Sequence, residues 1–177
     1  MNKKLIGSFY TPKIIADFLV NHLLEKVKGN NLSILEPSCG DGIFVKTIFD
    51  DTVFSKNIRE FIAVEREEKE IEKVKLITKS KKLKAVKQDF LDFQNKNEQQ
   101  FDIVIGNPPY IKKNLLKDAQ VLLCEQIHTI YPSLSTNKIK NIWTAFLVRS
   151  IKFLKNDGLM AFVLPAELLQ VKYALEL

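Results

Sequence analysis

The sequence has 177 residues, the span of one domain of roughly 100–200 residues, and 46% of them are hydrophobic, enough to bury a sizeable core. A formal net charge of +6 makes polyanions candidate partners, although a lysine-rich background composition accounts for it equally well. Two cysteines, Cys39 and Cys124, exclude a disulfide framework and point to a reducing compartment, and no apolar run approaches the ~20 residues of a membrane span.

Met1-Asn2-Lys3-Lys4-Leu5-Ile6 opens like a secretory signal, but Ser8, Thr11, Pro12 and Lys13 cut its apolar stretch short, so a soluble cytoplasmic protein is expected. Residues 12–28 read as a helix: Thr11 can cap it, Pro12 occupies the first turn, and Ile14, Ile15, Phe18, Leu19, Leu23 and Leu24 recur at helical spacing. Gly29-Asn30-Asn31 breaks the chain. A short apolar strand over 32–35 leads into Glu36-Pro37-Ser38-Cys39-Gly40-Asp41-Gly42, and a second helix starts at Ile43. The spacing predicts a strand over 61–65, a charged helix over 67–79, a weaker strand over 83–86 and an apolar strand over 101–105. The segment 111–140 mixes lysines, polar residues and short apolar stretches and has no clear period. A helix over 142–154, a strand over 159–164 and the start of a further helix over 166–175 complete the series. Strands alternating with helices predict a doubly wound, mostly parallel α/β sheet covered on both faces.

In an open sheet of this kind ligands bind beyond the carboxyl ends of the strands, and four turns there are informative. Gly40 and Gly42 allow backbone to approach a ligand closely after the first strand, though a plain strand-to-helix turn would use glycine too. Glu65 ends the second strand, placed to accept hydrogen bonds from both hydroxyls of a ribose. Asp89 ends the third and could accept from the amine of an adenine ring, with Phe90 against its face. Each acid alone could equally be a solvated strand terminus. At successive strand ends they favour a cofactor containing adenosine.

Asn107-Pro108-Pro109-Tyr110 directly follows the fourth apolar strand. Two prolines fix φ and push the residues before them into extended conformations. The Asn107 amide oxygen and the Pro108 carbonyl can thus point one way and take both hydrogens of a planar amine, with Tyr110 offering a ring to stack on. An amine conjugated with a purine is a poor nucleophile. Two acceptors on its N–H bonds draw the nitrogen toward tetrahedral geometry and stabilise the positive charge that develops on alkylation. The bland reading is a proline turn beside a core tyrosine.

Together these turns resemble the amino-methyltransferases, and specifically the γ-class DNA adenine-N6 methyltransferases of restriction-modification systems. Gly7-Ser8-Phe9-Tyr10-Thr11-Pro12 looks like that family's N-terminal cofactor motif, which implies contact between Thr11 and the methionine moiety. Ile34-Leu35-Glu36-Pro37-Ser38-Cys39-Gly40-Asp41-Gly42 resembles the first core motif, with Glu36 near the cofactor's amino group. Glu65 matches the ribose-binding acid, Asp89 and Phe90 the adenine-binding pair, and Asn107, Pro108, Pro109 and Tyr110 the catalytic motif. Asn141-Ile142-Trp143 and the segment 158–165 resemble the helix and strand that follow.

The resemblance implies a Rossmann-like catalytic domain over residues 1–177 that uses S-adenosylmethionine and acts on DNA. It also implies that the last strands of the sheet and the target-recognition domain are missing, so that specific DNA binding needs a further C-terminal domain or a separate chain. RNA adenine and protein glutamine methyltransferases share Asn-Pro-Pro-Tyr and are the alternative, as is a cofactor-binding fragment that is inactive without a partner. Lys79, Lys81, Lys82, Lys84 and Lys87 read as a solvated face, while Lys112, Lys113 and Lys117 sit where phosphate contact is more credible. His22 and His128 have no metal-ligand spacing with either cysteine, so no metal site is expected, and Trp143 reads as core.

Overall fold

A computed structural model describes residues 10–27, 29–94, 100–130 and 140–166. Five strands form one sheet, ordered β3-β2-β1-β4-β5, and every neighbouring pair is parallel. They are β1 (Leu32–Pro37), β2 (Ile58–Glu65), β3 (Leu83–Lys87), β4 (Phe101–Gly106) and β5 (Leu154–Phe162). The helices are α1 (Lys13–Lys26), α2 (Ile43–Asp50), the single turn α3 (Phe54–Asn57), α4 (Glu68–Ile77), α5 (Asp118–His128) and α6 (Trp143–Phe153).

All six residues of β1 are buried, as is β2 apart from Arg59, because helices cover both faces of the sheet. One core gathers Ala16, Val20 and Leu23 of α1 with Phe44, Val45 and Ile48 of α2, Ile71 and Val74 of α4, and the strand residues facing them. The other packs Cys124 and Ile127 of α5 and Ala145, Phe146 and Val148 of α6 on the opposite face. At the strand starts, Asp102 fixes the register of three strands. Its Oδ2 accepts from the Ser33 amide and hydroxyl, each at 2.8 Å, and its Oδ1 from Lys155 Nζ at 2.6 Å.

Several elements differ from the sequence reading. Thr11 does not cap α1; Pro12 stands at the cap, its carbonyl accepting from the amides of Ile15 and Ala16. The Thr11 hydroxyl is engaged elsewhere, by Asn107. The unassigned segment contains α5, and β5 begins at Leu154, directly at the end of α6, with its pairing to β4 irregular between Phe101 and Ile103. Trp143 is core, 2% exposed. Residues 7–9 of the N-terminal motif and the helix expected over 166–175 (Ala166 excepted) lie outside the described residues. No helix among the described residues is long and apolar enough to cross a membrane.

Candidate active site

Because every strand runs the same way, β1, β2, β3 and β4 deliver their carboxyl ends to one edge. From β1 the chain first winds outward to β2 and β3, then returns to β4 on the other side of β1. The crevice therefore opens at the switch point between β1 and β4. A cleft of about 670 Å³ lies there, lined by residues from each of these four strand ends and from α6. A smaller hollow of about 250 Å³ adjoins it, and the two share Tyr10, Ser38, Gly40 and Asn107.

The glycine turn forms the floor. Ser38 and Gly40 take left-handed φ of 55° and 54°, a conformation that costs a serine energy and is typical of strained functional turns. The Ser38 hydroxyl lies 2.6 Å from the Pro37 carbonyl and 3.4 Å from that of Asn107, stitching the ends of β1 and β4 together. Gly42 has a different reason for being glycine. With φ of 81°, a Cβ there would sit 2.4 Å from Ile77 Cδ1 and 2.9 Å from Val74 Cγ2, so the residue lets α2 start against α4 rather than letting backbone meet a ligand.

Glu65 is buried and fixed from both sides. Its Oε2 accepts from the Gly40 amide and its Oε1 from the Glu67 amide, each at 3.0 Å. A carboxylate oxygen can accept more than one hydrogen bond, so both retain acceptor capacity at the wall of the cleft. Asp89 Oδ1 accepts from the Leu91 amide at 2.9 Å and so starts a 3-10 turn, Phe90–Asp92. That turn presents Phe90 to the cleft while its ring packs on Phe146, with centroids 5.2 Å apart, and on Phe93 and Phe153. The Arg149 guanidinium lies 5.9 Å from the centre of the same ring, and burial pulls its pKa down.

Glu36 is 1% exposed and its Oε2 has no hydrogen-bond partner among the described residues. Burial, reinforced by Asp41 and Glu65, holds its carboxyl well above the usual carboxylate range. Asp41 at the rim is raised as well, by desolvation and then by Glu70. A buried acid with two more acids beside it is a costly arrangement that a positively charged ligand would compensate. Cys39 is small, buried and, with its thiol pushed far up by burial, unreactive.

Asn107 stands on the wall common to both hollows. Its Nδ2 donates to Thr11 Oγ1 at 3.0 Å, and its Oδ1 lies 2.5 Å from the Tyr110 hydroxyl, which is also 2.6 Å from the Val163 carbonyl. Burial pushes the Tyr110 phenol up to about 12, so it keeps its proton. Tyr10, Thr11, Glu36, Ser38, Cys39, Gly40, Asp41, Glu65, Asp89, Phe90, Asn107 and Pro109 line the two hollows. Pro12, Pro37, Gly42, Pro108 and Tyr110 are not among those lining residues. Sequence reasoning assigned no site role to Arg66, Gln88, Ile142 or Phe146, which also line the cleft. Gln88 was adjacent to a residue singled out. Ile142 and Phe146 carry no local signal, since α6 reaches the cleft only through the fold. Among the described residues no three metal-ligating side chains come together.

A family model described as Eco57I restriction-modification methylase matches residues 19–177. The Type II methyltransferase M.CvrRI of Paramecium bursaria Chlorella virus XZ-6E is 31% identical over 170 residues, covering 94% of this chain and 38% of the viral protein. The chain thus spans about two fifths of that relative's length. Among solved structures, a candidate class I S-adenosylmethionine-dependent methyltransferase from Listeria monocytogenes superposes with a TM-score of 0.74 at 21% identity, covering 94% of this chain and 50% of that one. The methyltransferase subunit of a type I restriction-modification system from Streptococcus thermophilus superposes with a TM-score of 0.71 at 20% identity, over 91% of this chain and 35% of that one. At these identities the superpositions establish the fold: a Rossmann-like parallel sheet shared with methyltransferases.

Proposed function

The chain belongs to the Eco57I restriction-modification methylase family, and on that footing we infer that its cleft binds S-adenosylmethionine and directs methyl transfer to the N6 amine of adenine in DNA. The observation that carries this reading is the position of Asn107: its amide is held at both ends, on the wall between the two hollows, at the end of an apolar strand.

When bound, S-adenosylmethionine supplies a methyl group activated by a sulfonium. Glu65 would hold its ribose hydroxyls, Asp89 and Phe90 its adenine, and Thr11 and Glu36 its methionine end. The orphaned Glu36 oxygen and the surrounding acids suit a ligand with an ammonium and a sulfonium. Asn107 Oδ1 and the Pro108 carbonyl accept the two hydrogens of the target amine, localise its lone pair and stabilise the charge that develops on nitrogen. No strong base is required, because a methylated aminium loses its proton readily. The paired target adenine must leave the duplex to reach Asn107, and the ring of Tyr110 would stack on it. Lys112, Lys117 and Lys140, exposed just beyond the Asn-Pro-Pro-Tyr turn and on the segment bridged to it, suit phosphates flanking the base. The DNA substrate and the two free cysteines fit a cytoplasmic protein.

Asn107→Ala tests the assignment in the protein at its full natural length. Transfer of labelled methyl to DNA is expected to fall by about a hundredfold or more, the loss of one preorganised acceptor, with S-adenosylmethionine affinity little changed. Transfer that stays within a few-fold of the parent would remove Asn107 from the chemistry.

A further inference from the structure

The Tyr110 phenol carries one proton, and among its partners are two oxygens, Asn107 Oδ1 at 2.5 Å and the Val163 carbonyl at 2.6 Å. The second acceptor is rigid. Val163 donates its own amide to the Gly106 carbonyl at 3.0 Å, extending the pairing of β4 and β5 by one step. Gly106 is itself wedged, since a Cβ there would lie 3.1 Å from the Pro37 carbonyl and 3.6 Å from the Phe162 ring. On its other side, Asn107 is held through Nδ2 by the Thr11 hydroxyl.

With Asn107 read as the acceptor of the target amine, we propose that the Tyr110 hydroxyl and the Val163 carbonyl are positioning groups that orient the Asn107 amide and release its oxygen to the substrate. Before the base arrives, the phenol proton points to Asn107 Oδ1 while the Thr11 hydroxyl accepts from Nδ2, and the two contacts together hold the amide against turning over. When an amine N–H approaches Oδ1, the phenol proton rotates about its C–O bond to the Val163 carbonyl. Asn107 exchanges one donor for another, and no buried hydroxyl is left unpaired. Burial keeps the phenol protonated across the physiological range, as this exchange requires. Without the hydroxyl the amide has one restraint fewer. Its flipped rotamer, which presents NH2 to the amine, then becomes populated.

Tyr110→Phe isolates the hydroxyl, because the ring remains to stack on the base. In the full-length enzyme kcat is expected to fall about tenfold, while KM for DNA stays within about twofold. Emission from a duplex with 2-aminopurine at the methylated position should match the parent's, since base extrusion needs only the ring. A kcat kept within about twofold, or a loss of kcat matched by a loss of 2-aminopurine emission, overturns the proposal. Asn107→Ala in the same assay separates the two levels. If Asn107→Ala is inactive and Tyr110→Phe is not, only the roles of Tyr110 and Val163 fail. If Asn107→Ala is active, the reading of Asn107 fails and this one with it.

Discussion

Glu36 stands next to the end of a strand that is buried throughout, and its Oε2 is buried with no hydrogen-bond partner among the described residues. Desolvation is the main cause of its raised pKa, with repulsion from Asp41 and Glu65 adding to it. A cation seated against it lowers that pKa again. Below the raised value the ligand must displace a proton; above it the carboxylate is already ionised. Affinity for S-adenosylmethionine should therefore rise with pH through the Glu36 titration and then level off, with proton uptake by the buffer on binding. Glu36→Gln should abolish the slope and weaken binding by about tenfold to a hundredfold, the worth of a charge-assisted hydrogen bond. Calorimetric titrations in two buffers of different ionisation enthalpy measure this, and equal apparent enthalpies would count against it. The placement of Glu36, Gly40 and Glu65 beside the cleft was legible, because acids and glycines at the ends of apolar strands stand out in the sequence. Thr11 misled, since local capping logic cannot register a hydrogen bond to a residue 96 positions away.

Among the elements, the short bridge between the chain after Tyr110 and the start of α6 shapes the outer lip of the cleft. Lys112 pairs with Asn141 across it, and the Lys113 amide donates to the Lys140 carbonyl at 2.9 Å. Lys113 is used internally, paired with Glu125 at 3.0 Å, while Lys112, Lys117 and Lys140 are exposed. In the basic run of β3 and the turn before it the reverse holds. Lys84 and Lys87 pair with Glu60 and Glu68, and Lys82 donates to the carbonyls of Ser55 and Lys56. Lys112→Glu with Lys140→Glu is expected to lower DNA affinity about tenfold or more at low salt and to flatten the salt dependence by about two phosphate contacts. Lys84→Gln with Lys87→Gln should leave that slope alone. Fluorescence anisotropy over a salt series measures both, and equal slopes for the two pairs would refute the distinction. The helix α5 escaped sequence reasoning because Leu122, in the middle of its apolar stretch, is 56% exposed and blurs the helical period. The early start of β5 escaped it because Lys155-Asn156-Asp157-Gly158 offers no apolar residue, whereas the Lys155 side chain is held at the strand starts by Asp102.

For the molecule as a whole, the strand order explains why motifs scattered along the sequence assemble. Parallel strands joined by covering helices end on one edge, so whatever follows each strand is delivered to the same crevice. Long apolar strands made β1, β2 and β4 visible in the sequence, and the strand ends then located Glu36, Glu65 and Asn107. Ile142 and Phe146 were not visible as site residues, because tertiary packing, including Phe146 against Phe90, is what brings the start of α6 to the cleft. The proposed methyl transfer to the N6 amine of adenine in DNA is tested most directly by incubating the full-length protein with duplex DNA and S-adenosylmethionine bearing a deuterated methyl group, then digesting the DNA to nucleosides for mass spectrometry. Deuterated N6-methyladenine is expected from the parent protein and essentially none from Asn107→Ala. Label found in a cytosine instead, or absent from DNA but present in RNA or protein, would contradict it.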